Sequence, residues 1–469
     1  MTAGGADGAG SSGANARRRP PGPSLLALSA IAMRMPNSPY TLLPEIARRY
    51  GDIVNIPIPV PGMTVTLLSH PDHVEHVMTR KHTGYVKHES TRELFFGEPA
   101  PFGLLAGEEW RRVRRSLSPH FGGQALTAVS SQLTGALTER VSAWSRYADS
   151  GQSMELQDEL GVVVLDGLLR SMFSTALPTE RLRRFATAAQ HYDQYVAARV
   201  ATYFLPGFLP RPYRFRGEPA KRFLFAQADD FVARRLREGP RRTPDVLDTL
   251  LSTSYEGSQE HQYARLRADL FSLMLGAVGT TTAAVGWAVG LLFANPPALA
   301  RAYDEVDALG GAELGFGQLQ NLEYLQCCLD EAQRIQSASP ANVRTAVDDD
   351  EVGGYHIPAG SQILLSPYGL HRDTRFWDAP EEFRPSRFVG HETNRNAFLP
   401  FNVGPRKCMG YRLANTAGVL TLAAILQRYS VELPPEWRPR HEFRRASKVP
   451  RGLSVTLSHR RLVRSASTH

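Results

Sequence analysis

The sequence predicts a mainly α chain with a small β-rich part, organised as one large domain. Three observations carry this. From Pro71 to about Ala294 apolar residues recur at helical periods, interrupted by a Pro- and aromatic-rich stretch from Tyr203 to Phe215. Within that region Leu270 to Phe293 is apolar almost all round, the mark of a helix crossing the centre of a large protein. After Glu331 the pattern turns to short strands and ordered coil, before a last helix from Gly410 to about Tyr429.

Taken in order, residues 1–22 are Gly, Ala, Ser, Arg and Pro with almost no apolar content, which describes a disordered tail. They lack the apolar run of a signal peptide. From Tyr50 to Leu68 the reading is β: Ile53, Val54, Ile56 and Ile58, a Pro61-Gly62 turn, then Val65 to Leu68. The C-terminal third carries turn signals at Gly353, Gly354, Pro358 and Gly360. The folded domain is expected over residues 23–460, with 461–469 as a C-terminal tail. No internal repeat is visible.

Composition narrows the function classes. The chain has 469 residues, 42% hydrophobic and 21% charged, so a large core forms without disulfides. The formal charge of +8 is spread over scattered arginines with short runs at Arg17–Arg19 and Arg111–Arg115, so no nucleic-acid partner is expected. Leu25 to Ala32 is too short to span a bilayer, and Leu273 to Ala294 is broken by glycines and threonines. A soluble, cytoplasmic monomer is the expectation. Of the three cysteines, Cys327 and Cys328 share a helical apolar pattern with Leu322, Leu325 and Leu329 and read as small buried hydrophobes in a reducing compartment.

Cys408 sits differently. Phe401-Asn402-Val403-Gly404-Pro405-Arg406-Lys407-Cys408-Met409-Gly410 is a glycine-punctuated loop that places a lone cysteine just before a helix, where a thiolate is favoured. The bland alternative is a buried free cysteine in a helix cap. The pattern F-x-x-G-x-R-x-C-x-G resembles the haem-binding loop of the cytochromes P450, in their soluble bacterial form, and the likeness extends over residues 40 to 460. It implies the cytochrome P450 fold and haem b, with Cys408 as axial ligand to the iron, Phe401 and Gly410 in the cofactor-binding loop, and electron donation from the thiolate that favours O–O cleavage. Glycines at 404 and 410 suit a tight turn and close approach to a flat macrocycle.

Further motifs follow in the family's order. Glu331-Ala332-Gln333-Arg334 matches E-x-x-R, by itself an ordinary i, i+3 surface pair. The resemblance makes it a buried structural pair joined by Arg387 of Pro385-Ser386-Arg387-Phe388. His371-Arg372-Asp373, Phe376 and Pro380 fit the same run. Trp110 and Arg114, four apart on one helix, together with Arg344 and Arg406, become the implied partners of the haem carboxylates, a task suited to guanidinium forks. Taken singly, each arginine reads as solvated surface charge.

Gly276-Ala277-Val278-Gly279-Thr280-Thr281, seven residues ahead of Trp287 counting from Thr280, occupies the place of the family's oxygen-side helix. Thr280 then takes the role of the oxygen-activating threonine, its hydroxyl intercepting an i−4 carbonyl and opening the helix; as plain core threonines, Thr280 to Thr282 would simply bond their own helix. The acidic residue expected beside the threonine is Gly279, and no Asp or Glu lies between Leu270 and Phe293. Protons must then arrive through water and Thr280, or from the substrate. Ile335-Gln336-Ser337-Ala338-Ser339-Pro340 also departs from the family's Leu-x-Pro after E-x-x-R.

The leading expectation is a monooxygenase of secondary metabolism that inserts one atom of dioxygen into a bulky apolar substrate of terpenoid, polyketide or fatty acyl type. Electrons would come from ferredoxin and ferredoxin reductase, with Arg406, Lys407, Arg412, Arg111 and Arg115 on the docking face. Gly279 motivates the second reading, a donor-free haem-thiolate enzyme performing peroxide-driven oxygenation, dehydration or rearrangement. A non-enzymatic haem sensor or carrier is the third. Phe95, Phe96, Leu104, Leu105 and Tyr203 to Phe215 are expected on the access side.

Overall fold

The computed structural model describes residues 18–34, 39–58, 65–87, 99–202, 209, 211–390, 396–442 and 449–460. The tail expected over residues 1–17, the Pro61-Gly62 turn, Phe95, Phe96, residues 203–208 and 210 of the aromatic segment and the C-terminal residues 461–469 lie outside them. Of the expected N-terminal tail, Arg18 to Gly22 are described and run along the sheet: the Arg18 carbonyl accepts from His356 N–H at 2.8 Å and the Pro21 carbonyl from Asn55 N–H at 2.8 Å.

The architecture is mainly α with small sheets. Five helices frame the site: α1 (Gly107–Leu117), α2 (Leu156–Phe173), α3 (Gln259–Phe293), α4 (Glu323–Ile335) and α5 (Tyr411–Arg428). The long helix α3 starts where the Ser258 hydroxyl accepts from His261 N–H, and it ends before Asn295, whose side chain caps the next helix. It packs on α2, α4 and α5. The apolar face therefore wraps the whole circumference, as the sequence pattern requires of a central helix. Among the described residues it is the one helix long and apolar enough to cross a membrane, and 78% of its most apolar window is buried in the protein. α4 and α5 approach closely because residue 418 is Gly: a Cβ there would lie 2.7 Å from Leu329 Cδ2.

A five-stranded sheet flanks the helices, built from β1 (Ile53–Ile56), β2 (Val65–Leu68), β3 (Tyr85–Val86), β4 (Asn342–Ala346) and β5 (Gln362–Leu365) in the order β1-β2-β5-β4-β3. β1 and β2 are antiparallel with Ile53 opposite Leu68, and β2 runs parallel to β5. β4 sets Arg344 opposite Ile363 and hands on to the edge strand β3, with Tyr85 opposite Ala346. All four residues of β2 are buried, so it reads as a continuous apolar run rather than an alternating one. The site lies where the C-terminal end of β3, the N-terminal half of β4 and the five helices converge.

Candidate active site

The loop 401–410 is fixed from both sides. Gly404 has φ +72, and a Cβ on it would lie 2.0 Å from the Met78 carbonyl oxygen, so only glycine fits this crossing. Cys408 N–H donates to the Phe401 carbonyl at 2.9 Å, closing the loop into a hairpin-like turn, and α5 begins three residues later. The Cys408 side chain is enclosed by protein except toward an internal cavity, through which its sulfur remains accessible. Burial pushes its thiol up; the Gly410 N–H and the charges of Arg114, Lys407 and Lys87 oppose that rise and favour the thiolate.

The cavity has a volume of about 370 Å³ and is walled by Phe102, Phe121, Leu168, Met172, Leu273, Ala277 and Leu329 among others. Thr280 and Thr281 of α3 line it, as do Phe401, Arg406, Cys408 and Gly410 of the loop. The structure thus brings the cysteine loop and the threonine face of α3 to one chamber. α3 remains helical through Thr280, and the Thr280 hydroxyl donates to the Gly276 carbonyl at 2.8 Å. The expected i−4 interception is therefore present without a break in the helix. Gly279 is buried, and the nearest preceding carboxyl of the helix, Asp269, lies roughly 15 Å along the axis.

Beside the cysteine lies a group of cations. Arg114 donates to the Lys407 carbonyl at 2.8 Å, and its guanidinium lies 5.5 Å from the Trp110 ring centroid. Arg406 stacks on the same indole at 3.8 Å and donates to the Leu105 carbonyl at 2.6 Å, while its Nη1 is buried without a partner. Arg344 does not line the cavity; it is buried behind the wall, where it donates to the Val343 carbonyl at 2.8 Å. Burial lowers Arg344 and Arg406 to about 10, and Arg406 is further lowered by Arg344 and Arg114. Lys87, a residue in no motif, completes the group: it lines the cavity, and burial followed by the charges of Arg344 and Arg406 lowers it to about 7.

Among the described residues no carboxylate forms an ion pair with Lys87, Arg114, Arg344 or Arg406. Three basic side chains at one chamber, with Arg344 buried behind its wall and no carboxylate paired to any of them among the described residues, is an arrangement that burial strongly disfavours unless an anionic group joins them. Gly410 adds a second mark, because a Cβ there would meet nothing closer than Phe121 Cε1 at 3.9 Å. Protein packing does not demand glycine at 410, and its absence of a side chain leaves that face of the loop open to a flat group. A haem, planar and carrying two carboxylates, fits both features.

One assignment changes. Arg406 was expected on the outer docking face, but stacking on Trp110 turns it inward, leaving Lys407, Arg412, Arg111 and Arg115 outside. Lys407 rests on the Tyr411 ring at 3.8 Å and Arg111 pairs with Glu108 at 3.1 Å.

Under the loop, Glu331 and Arg334 are completely buried. Arg334 donates from Nε to Glu331 Oε2 at 2.7 Å and from Nη2 to Oε1 at 2.9 Å. Arg387 Nε reaches Glu331 Oε1 at 3.0 Å, Arg384 N–H the same oxygen at 2.9 Å, and Arg334 Nη1 the His371 carbonyl at 2.6 Å. His371 in turn accepts from Leu399 N–H at 2.8 Å, just before the cysteine loop, and burial lowers its pKa to about 3, so it stays neutral. Every donor and acceptor of this knot is used.

The comparisons agree with this geometry. The sequence profile described as Cytochrome P450 matches residues 19–457, nearly the whole chain. The chain belongs to the cytochrome P450 family: it is an oxidoreductase acting with incorporation of molecular oxygen, and family membership implies a haem-thiolate cofactor together with a redox partner, a substrate and dioxygen. It is 29% identical over 402 residues to the chloroplastic carotene epsilon-monooxygenase of Arabidopsis thaliana, covering 79% of this chain and 73% of that protein. It is 27% identical over 397 residues to putative cytochrome P450 135A1 of Mycobacterium tuberculosis, covering 83% and 84%. With the ferruginol synthase of Salvia miltiorrhiza it shares 24% over 444 residues, 89% and 88% of the two chains. The likeness is thus not confined to bacterial proteins.

Proposed function

We propose that this chain is a haem b monooxygenase that inserts one oxygen atom into a bulky apolar substrate, with terpenoids as the favoured class, using electrons from a separate ferredoxin and its reductase. The observation that carries the reading is one chamber with Cys408 on one wall and Thr280 on the other. When bound, the haem supplies dioxygen activation. The protein's own parts divide the remaining work. Cys408 would bind the cofactor's iron through its thiolate. Arg114, Arg406 and the indole of Trp110 would hold the cofactor's carboxylate edge, with Lys87 as a further cation at the cavity and Arg344 adding its charge from behind the wall. Glu331, Arg334 and Arg387 keep the loop beneath in place.

Thr280 holds a proton at Oγ1, now donated to the Gly276 carbonyl. Thr280 lines the chamber, so rotation about χ1 would turn this proton toward the cavity, where a water would take it up. With Gly279 in the acid's place, that water must come from the substrate side. Phe102, Phe121, Leu273 and Met172 exclude bulk solvent and favour an apolar ligand, and two of the similar proteins are terpenoid-related by name. An acidic donor suits the exposed Arg412, Arg111 and Arg115 with the half-buried Lys407 beside them, and three unpaired cysteines suit a reducing, cytoplasmic setting.

The test is turnover of lipophilic ligands, chosen by binding spectra, under labelled dioxygen with a surrogate ferredoxin system. One labelled oxygen per product, dependent on the donor, is expected. Turnover without any donor would instead establish the peroxide-driven or rearranging reading that Gly279 motivates.

A further inference from the structure

The described loop 99–106 supplies two residues of the cavity wall, Phe102 and Gly103, and it is held at two points. Near its end the Leu105 carbonyl accepts from Arg406. Near its start the holder is unexpected: Phe102 N–H donates to Asp269 Oδ1, and Asp269 belongs to α3, the helix that carries Thr280. Asp269 is fully buried. Its other oxygen accepts from the Tyr255 hydroxyl at 2.8 Å. The nearby Arg265 gives its guanidinium to Glu109 at 2.8 Å, so the carboxylate has a backbone amide and a phenol as partners rather than an ion pair of its own.

A carboxyl in such a place is costly, and burial pushes it up to about 6 in spite of both hydrogen bonds and the Arg265 charge. What the chain obtains is directional. A carboxylate accepts a backbone N–H more strongly than a neutral oxygen does, and this amide is the one belonging to the aromatic residue of the chamber wall. The same neighbourhood reaches the cofactor edge, because Glu109 directly precedes Trp110 on α1.

We propose that Asp269 is a positioning residue for ligand discrimination: through the Phe102 amide it fixes the aromatic side of the chamber relative to the Thr280 face of α3. The inference rests on the haem reading of the chamber, and its test separates the two. Azoles of graded bulk, from imidazole through phenylimidazoles to larger aryl imidazoles, serve as probes that need no known substrate. Their dissociation constants are measured by spectral titration on the holoprotein, alongside hydrogen–deuterium exchange of the 99–106 amides on the protein with or without haem.

Asp269→Leu is expected to speed Phe102 amide exchange at least tenfold and to compress the spread of affinities across the azole series about tenfold, with the carbon monoxide spectrum unchanged. Asp269→Asn keeps an acceptor for the amide and is expected to preserve the ranking within about twofold. Phe102→Ala should compress the ranking as Asp269→Leu does, and it decides the matter should the leucine variant not accumulate. A ranking unaltered in Phe102→Ala, or a Phe102 amide that exchanges freely in the wild type, overturns the proposal. Absence of the thiolate-type carbon monoxide spectrum in the wild type would remove the haem reading while leaving the exchange result to judge Asp269.

Discussion

The two walls of the chamber are built on opposite principles. On the cysteine side every polar atom of Glu331, Arg334, Arg387 and His371 has a partner at hydrogen-bond distance, and Gly404 admits no other residue. On the oxygen side α3 presents Leu273, Gly276, Ala277, Ala284 and Val285 with the hydroxyl residues Ser272, Thr280 and Thr281, mostly small and apolar groups, and the Thr280 hydroxyl is bonded to its own helix. The first wall is over-determined and the second permissive. A fully paired buried knot fixes one geometry, whereas small residues leave room that a ligand or water can occupy in several ways. The contrast suggests that the cysteine wall sets which cofactor is held and the α3 wall tunes what is done with it.

The largest expected effect breaks the cysteine wall at its centre. Cys408→Ala should abolish the red-shifted Soret band that the reduced protein gives with carbon monoxide. A variant that keeps the wild-type band would remove Cys408 from the iron.

Next comes the knot beneath. Glu331→Ala or Arg334→Ala strands a fully buried charge, at a cost of about 3–5 kcal/mol. Both variants should accumulate largely without haem or as insoluble protein, whereas Arg111→Ala, an exposed pair member, should match the wild type within about 0.5 kcal/mol. Normal haem content in both knot variants would show that the wall is not over-determined.

This asymmetry also explains what the sequence made legible. The cysteine loop, E-x-x-R and its Arg387 partner are local patterns whose spacing is dictated by tight turns and one buried acid, and α3 announces itself by being apolar all round. Lys87 was invisible because it stands at the end of a two-residue edge strand with no pattern around it; only the tertiary meeting of β3 with Arg344 and Arg406 gives it meaning. For Arg406 the sequence offers both an inward role at the cofactor and a place on the outer face; its rotamer is chosen by Trp110, some three hundred residues away in sequence, which selects the first. Asp269 stands one residue before the apolar stretch Leu270 to Phe293, and nothing local marks its partner as the Phe102 amide.

A pH test sharpens the comparison on the α3 side. Burial raises the Asp269 carboxyl to about 6, above its unfolded value near 3.9. The folded state therefore binds this proton more tightly than the unfolded chain does. Stability from this group is gained as pH falls from about 6 toward about 4 and lost as pH rises through that window, a span on the order of 2–3 kcal/mol. Denaturant midpoints of wild type and Asp269→Asn, compared at each pH, should diverge across the window, since groups common to both cancel. Parallel curves would mean that Asp269 does not titrate there.

The smallest expected effect, and the most informative for the permissive wall, concerns Gly279. A positioned acid–base group contributes about 10²–10⁴-fold to a proton transfer, and this chain has no carboxyl beside Thr280. Electrons should therefore leak to peroxide unless the substrate or an ordered water delivers the proton, so the product formed per electron should vary strongly between substrates. Gly279→Asp tests this, but two effects must be separated, because replacing a helical glycine also raises helix propensity, by about 1 kcal/mol for Ala and by less for Asp. Gly279→Ala supplies that control: it rigidifies α3 without adding a proton donor. If the missing acid limits the reaction, Gly279→Asp should raise coupling several-fold over Gly279→Ala and cut peroxide release, and Thr280→Ala in the wild-type background should lower coupling further. If wild type already couples tightly with several unrelated ligands, the permissive wall needs no carboxylate, and proton delivery runs entirely through water admitted at the substrate side. Equal gains from Asp and Ala would place the limitation in the flexibility of α3 instead, making the glycine a mechanical feature of the oxygen-side helix rather than a vacant acid position.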